Sequence, residues 1–147
     1  MAVHLIDEAA QQGARCGDLV AGDAGGQRAV GICGPGREAE ALRRAGVTRC
    51  RMAVPSNAML YLTDAGPVAV QGEPLATGML DVMPFDRQAL VTALRADQAG
   101  QTTFAEFVQG CWNAGIVWYD VDLNARNCTY YGAHGESYVE TYPAVEI

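Results

Sequence analysis

The apolar pattern is most regular in the second half of the chain, where it predicts a helix that faces a hydrophobic core. Apolar side chains recur three or four positions apart at Phe104, Phe107, Val108, Cys111 and Trp112, as on the buried side of an amphipathic helix. Thr103 and Glu106 have the spacing of a capping box, which satisfies backbone amides at the start of a helix. Gly115 follows the stripe and predicts the end of the helix.

Three further helices are predicted from the same kinds of signal. They cover residues 3–12, 37–45 and 86–97. Asp86 is a favourable N-cap of the third, and Phe85 can pack on Leu90 as a hydrophobic staple. Residues 17–36 are rich in glycine and predict a loop, with a short strand over residues 29–32.

Alternating apolar and polar residues, separated by turn signals, predict two three-stranded meanders. The predicted strands cover residues 47–54, 59–62 and 68–71, and then residues 116–123, 128–131 and 136–142. Residues 75–84 connect the meanders and predict a further short strand over residues 79–82. This order of elements predicts a single α+β domain over residues 1–147.

The two meanders also share a repeat at a constant spacing of 69 residues. Six of 30 aligned positions are identical, namely Ala45 and Ala114, Gly46 and Gly115, Tyr61 and Tyr130, Gly66 and Gly135, Val70 and Val139, and Pro74 and Pro143. We therefore predict an internal duplication of a helix-plus-three-stranded-meander unit, with repeat 1 at about residues 1–74 and repeat 2 at about residues 85–147. The two copies are expected to form a two-layer, pseudo-twofold domain with the helices on one side of the sheets.

Composition removes several classes of function. The net charge of -7 argues against general nucleic-acid binding. All ten cations are arginines, so Schiff-base chemistry and a phosphate-loop lysine are excluded. The five cysteines include no CxxC pair, so a disulfide framework and a four-cysteine zinc site are not expected. We predict that the protein uses no metal and no cofactor. With no signal-peptide pattern and no apolar run long enough for a membrane span, we predict a reduced, cytoplasmic protein.

Strand alternation assigns the residues of each meander to two faces. With a four-residue turn over residues 124–127, the apolar face of the second meander carries Tyr119, Val121, Leu123, Cys128, Tyr130 and Val139. The other face is aromatic and acidic, with Trp118, Asp120, Asp122, Thr129, Tyr131, Glu136, Tyr138, Glu140 and Tyr142. The equivalent face of the first meander carries Arg49, Arg51, Ala53, Leu60, Leu62, Ala69 and Gln71.

Three arrangements of these polar faces stay open. The arginines can pair with Asp120 and Asp122, the two faces can line a shared cleft for a small polar or aromatic ligand, or both can be ordinary solvated surfaces. The predicted ligand-binding residues are Arg49, Arg51, Trp118, Asp122, Tyr131, Tyr138 and Glu140.

Acid/base chemistry is a second hypothesis for the same region. Its candidate catalytic residues are Asp120, Asp122, His134 and Glu136, because crowded carboxylates or a carboxylate beside an imidazole can shift a pKa toward neutrality. The plainer interpretation is an acidic surface with an exposed turn histidine. Three cysteines, Cys50, Cys111 and Cys128, fall on predicted core positions and are expected to pack as small apolar side chains.

Three segments carry a family resemblance. They are Ala-Gly-Ile-Val-Trp-Tyr-Asp-Val-Asp from Ala114, Ala-Arg-Asn-Cys-Thr-Tyr-Tyr-Gly from Ala125, and Gly-Glu-Ser-Tyr-Val-Glu from Gly135. This pattern resembles the YdfO/YbcV-type prophage proteins, which are often labelled phage envelope proteins. The resemblance implies no established activity and supplies no catalytic residues.

The sequence thus favours a non-catalytic module that binds a small molecule or a partner protein through its aromatic and acidic sheet face. A small acid/base enzyme, such as an isomerase, lyase or cyclase, is the first alternative. A prophage or virion structural protein is the second, and it rests on the family label alone. We expect no nucleic-acid or membrane partner, and a homodimer is compatible with this hypothesis.

Overall fold

The computed structural model describes residues 37–144 as three helices and six strands. In chain order these are α1 (Arg37–Arg44), β1 (Val47–Ala53), β2 (Ala58–Thr63), β3 (Gly66–Gln71), α2 (Arg87–Gln98), α3 (Phe104–Asn113), β4 (Ile116–Asp122), β5 (Asn127–Gly132) and β6 (Ser137–Thr141). The predicted helix over residues 3–12 and the predicted loop over residues 17–36, with its short strand, lie outside the described residues.

The six strands form one antiparallel sheet in the order β3-β2-β1-β4-β5-β6. Alternate strand residues turn toward the helices, and the largest fully buried side chains there include Met52, Tyr61, Tyr119, Tyr130, Phe107, Leu90 and Leu94. The core therefore lies between one face of the sheet and the helices, and the predicted α+β class is confirmed. Among the described residues, no helix is long and apolar enough to cross a membrane.

The helix ends follow the capping signals of the sequence. The Asp86 side chain accepts a hydrogen bond from the Ala89 amide at 3.0 Å at the start of α2. Thr103 and Glu106 form the predicted capping box of α3, with N–O distances of 3.2 and 2.8 Å. After α3, Gly115 has φ +81°, and a Cβ atom there would lie 2.5 Å from the Pro84 carbonyl oxygen. The chain can therefore make this close turn only with glycine.

Strands β1 and β4 join the two meanders at the centre of the sheet. Arg51 lies opposite Asp120 in their antiparallel register, and Arg49 lies opposite Asp122. The junction continues beyond the strand ends, because the Val54 amide donates to the Val117 carbonyl at 2.9 Å and the Leu123 amide to the Thr48 carbonyl at 3.1 Å. The two meanders are thus halves of one continuous sheet.

The predicted face assignment of β6 is wrong by one residue. Tyr138 lies opposite the buried Tyr130, whereas Val139 lies opposite Thr129 and is 54% exposed. The cause is the turn before β6, which the Gly132 amide closes on the Glu136 carbonyl at 2.9 Å. It leaves a loop of residues 133–135, whereas the predicted strands 128–131 and 136–142 left a turn of four residues, 132–135. Because side chains alternate with a period of two, a slip of one residue moves every β6 side chain to the other face.

The short strand predicted over residues 79–82 is also wrong, because this part of the connection between β3 and α2 is irregular. Four apolar side chains of the connection are exposed, namely Met79, Leu80, Val82 and Met83. Adjacent exposed positions such as Met79 and Leu80 cannot share one covered face of a strand, and the segment pairs with neither edge of the sheet.

Candidate functional site

The side of the sheet that faces away from the helices, hereafter the open face, carries most of the predicted ligand-binding residues. Its four central strands contribute Arg49, Arg51, Ala53, Ala58, Leu60, Leu62, Trp118, Asp120, Asp122, Asn127, Thr129 and Tyr131. The large apolar side chains on it are well exposed: Leu60 by 38%, Leu62 by 40%, Trp118 by 41% and Val139 by 54%. A sheet face with this apolar content that no helix or strand within residues 37–144 covers is typical of an interaction surface.

Two arginine–aspartate pairs cross the middle of the open face. Arg51 binds Asp120 through two parallel hydrogen bonds of 2.7 Å, and Arg49 binds Asp122 at 3.1 Å. The β1–β4 register places each pair directly across the two strands. The arginines therefore pair directly with the aspartates, and the pairs are partly exposed, which also fits the solvated-surface alternative.

The contacts of Asp122 favour its ionised form over one poised for proton transfer. The Ala125 amide, together with Arg49 and the Asn124 amide, holds the pKa of Asp122 below its ordinary value despite partial burial. Asp120 is occupied by the bidentate contact with Arg51, which in turn raises the pKa of the arginine. A general acid requires a carboxyl pKa raised toward neutrality, which is opposite to the direction found for Asp122.

Aromatic side chains adjoin the charged pairs on one side. Trp118 and Tyr131 lie opposite each other on β4 and β5, with ring centroids 5.9 Å apart. The Arg51 guanidinium carbon lies 5.9 Å from the Trp118 ring centroid, within the range of a cation–π contact. Arg51 thus links the ion pair with Asp120 to the aromatic pair.

Aliphatic side chains adjoin the charged pairs on the other side and border a shallow depression. This depression has a volume of about 250 Å³ and is lined by Arg49, Cys50, Arg51, Leu60, Leu62 and Asp120. Pockets that hold small ligands are usually about 300–1,000 Å³ and enclose most of the ligand. The open face therefore offers a broad surface more than a small-molecule pocket.

Tyr138 and Glu140 do not belong to the open face, which corrects the predicted ligand-binding set. The displaced register of β6 turns them toward α2, where Glu140 accepts two hydrogen bonds from Arg95 at 2.9 and 3.1 Å and one from Gln98 at 3.2 Å. The Tyr138 hydroxyl donates to Glu140 at 2.5 Å, and the Arg87 guanidinium lies 5.2 Å from the Tyr138 ring centroid. The contact with Arg95 holds the pKa of Glu140 below its ordinary value.

The four candidate catalytic residues are not brought together. Asp120 and Asp122 are on the open face, whereas Glu136 lies beside Gly132 on the side of the helices and accepts a hydrogen bond from the His134 amide at 2.8 Å. His134 is exposed in the turn at the far end of β5 from Asp122, about 20 Å away at about 3.3 Å per strand residue.

The potential metal ligands and the cysteines of the described residues are likewise not grouped into a site. Within the part of the chain that the structure describes, no group of three or more His, Cys, Asp or Glu side chains is arranged to hold a metal ion. Cys50, Cys111 and Cys128 are buried in the core, as their predicted positions required.

Comparison with known proteins identifies relatives of the chain without assigning an activity. A family model described as a protein of unknown function (DUF1398) matches residues 39–140. Uncharacterised proteins from Mycobacterium tuberculosis and Mycobacterium bovis are each 56% identical to the chain over 108 residues. The matched stretch is 74% of this chain and 66% of each relative, so the chain spans just under two thirds of the length of these curated relatives.

Proposed function

Because the chain belongs to the DUF1398 family of proteins of unknown function, we propose its function from its geometry: it is a non-catalytic module that binds a protein partner through the open face. The observation that carries this proposal is the exposure of Leu60, Leu62 and Trp118 on a sheet face that no other described element covers. Exposed apolar area at the centre of a surface with a charged and aromatic surround is typical of a protein interface.

The composition of the open face supports a protein partner over a small ligand. Trp118, Tyr131 and the arginines belong to the residue types that supply most binding energy in protein interfaces. The depression beside Arg49 has a volume of about 250 Å³, below the usual range of about 300–1,000 Å³ for small-ligand pockets. A partner with its own flat surface can instead contact the whole width of the sheet.

The acid/base alternative has less support. Asp120 and Asp122 are held by arginines, and His134 lies at the opposite end of β5 in an exposed turn. Glu136, the carboxylate nearest to His134 in sequence, accepts its hydrogen bond from the His134 backbone amide. The resemblance to prophage proteins and the cytoplasmic location stay predictions, since the relatives' names mention neither.

We also propose that the two halves of the sheet arose by the predicted duplication. Residues 69 positions apart share unusual positive φ angles, at Gly46 and Gly115, Asn57 and Arg126, and Gly66 and Gly135. The two hydrogen bonds that extend the β1–β4 junction are related by the same spacing, since Val54 corresponds to Leu123 and Thr48 to Val117. A twofold axis between Arg51 and Asp120 would exchange the halves of the sheet. The turn before β6 has one residue more than the equivalent turn before β3.

Site-specific cross-linking tests the proposed function. A photoreactive amino acid at Leu62 places the probe on the open face, and the same amino acid at Ala105 places it on the exposed side of α3. We expect a discrete cross-linked protein from position 62 and not from position 105. The purified partner should bind the unlabelled chain and lose affinity at least tenfold for Leu62→Asp, but not for the control Ala105→Asp. The proposal is refuted if neither position cross-links selectively, or if Leu62→Asp binds as well as the original chain.

A further inference from the structure

We propose that the partner of the open face is a second copy of this chain, packed face to face about a twofold axis that runs parallel to the strands. This inference rests on the proposed function and specifies its partner. Two sheets packed in this way lie about 10 Å apart, with their strands nearly aligned. Since β1 and β4 are the two central strands, such an axis places β1 of one copy over β4 of the other.

The register of the sheet makes the charges complementary in this arrangement. Arg51 and Asp120 are at the same height along the strands, as are Arg49 and Asp122. A twofold axis parallel to the strands preserves height and exchanges the halves, so Arg51 faces Asp120 of the second copy. Arg49 likewise faces Asp122 of the second copy. Each arginine then has one carboxylate beside it in its own chain and another across the interface, and no like charges are opposed.

Side-chain volumes are complementary in the neighbouring row. Ala58, Ala53, Trp118 and Tyr131 lie side by side across the four central strands. The same axis places the two alanines opposite the two aromatic rings of the second copy. Small residues opposite large ones allow two sheets to interdigitate, which is how the inner faces of a β-sandwich fill the space between them.

The size of the open face is sufficient for a weak to moderate dimer. Six strands spaced about 4.8 Å apart, each rising about 3.3 Å per residue over about six residues, cover about 600 Å². Two copies therefore bury about 1,200 Å² in projection, at the lower end of the range for specific interfaces. We expect the association to depend on concentration.

Sedimentation velocity on the full chain and on two complementary charge variants tests this inference. The original chain should shift with rising concentration from its monomer mass of 15.6 kDa toward twice that value. Arg51→Asp opposes carboxylates across the interface and Asp120→Arg opposes guanidinium groups, so each variant alone should stay monomeric. An equimolar mixture of the two variants should form a heterodimer, because every charge is again opposed by its opposite.

In the mixture, neither variant regains its own Arg51–Asp120 pair within the chain. If the mixture associates, the single variants therefore lost association at the interface and not through a loss of folding. A matched pair of substitutions on other strands and helices than β1 and β4 adds a steric control: Ala69→Arg, on the open face of β3, should abolish the dimer, and Ala105→Arg on α3 should not. Retained circular dichroism shows that each variant is folded.

A chain that stays monomeric at every concentration, or a mixture that does not associate, overturns the inference. If the original chain is monomeric but Leu62 cross-links a different protein that binds directly, the proposed function stands and only the choice of partner is wrong. If the chain dimerises and Ala69→Arg leaves the dimer intact, the dimer uses another surface and this inference is rejected.

Discussion

Replacing Asp97 by asparagine should stabilise the protein at neutral pH, because Asp97 is a buried carboxyl group. It lies in the last turn of α2 with 3% of its surface exposed, and a hydrogen bond from Thr102 offsets only part of the effect of burial on its pKa. Burial raises the pKa of Asp97 from its ordinary value of 3.8 to about 6, because water no longer solvates the ionised form.

The sign of the pH dependence follows from this difference. The folded protein holds the Asp97 proton more tightly than the unfolded chain, so the group's contribution to stability decreases as the pH rises from 3.8 to about 6. At about 1.4 kcal/mol per pKa unit, the rise of about two units corresponds to about 3 kcal/mol of lost stability at pH 7. Asparagine has a similar shape to the protonated acid and carries no charge, so Asp97→Asn should recover much of this free energy.

Urea denaturation of both proteins across this pH range tests the reasoning. We expect Asp97→Asn to be more stable than the original chain by about 2–3 kcal/mol at pH 7, and the difference to disappear below pH 3.8. The control is Asp81→Asn in the exposed connection before α2, which should change stability by less than about 0.5 kcal/mol at either pH. A difference between Asp97→Asn and the original chain that does not vary with pH would show that the carboxyl is not held protonated by burial.

Other predictions concern contacts between the helices and the sheet. Glu140→Gln should lower the free energy of unfolding by about 1.5–3 kcal/mol in denaturant titrations, because the Arg95 guanidinium loses its charged acceptor. Because the folded pKa of Glu140 is depressed, this contribution is present above its unfolded pKa and disappears as the pH falls through the folded value, so the variant and the original chain should converge in acid. Gly115→Ala should cost at least about 2 kcal/mol, whereas Gly135→Ala, with a similar positive φ but open space around its Cβ position, should cost about 1–2 kcal/mol. Thr103→Ala, which removes the capping box of α3, should lower thermal stability by about 1 kcal/mol in a melting experiment.

The elements that local patterns define could be predicted closely from the sequence. The N-caps of α2 and α3, and the alternation in β1, β2, β4 and β5, depend on neighbouring residues only. Tyr61, Tyr119 and Tyr130 therefore fall on the core side as predicted, and all three are fully buried. The open face with Arg49, Arg51, Trp118, Asp122 and Tyr131 follows from the same alternation.

The errors arise where a single residue or a distant contact decides the outcome. The turn after Gly132 holds three residues instead of four, and this places Tyr138 and Glu140 beside α2. Arg95 and Gln98, which bind Glu140, were not predicted as site residues for the same reason. Their spacing of three on α2 does indicate that they share one helix face. Direct pairing of Arg51 with Asp120 could not be distinguished from an open cleft, because the β1–β4 register joins residues 69 positions apart and no local pattern encodes it.

The accessibility of Trp118 to a soluble quencher tests most directly whether a partner covers the open face. The measurement uses a Trp112→Phe background, so that Trp118 is the remaining tryptophan. In dilute solution the indole, which is 41% exposed, should be quenched readily by iodide. Quenching should fall severalfold as the concentration rises into the range where the chain associates, or when the cross-linked partner is added. Quenching that stays constant under both conditions would contradict the account.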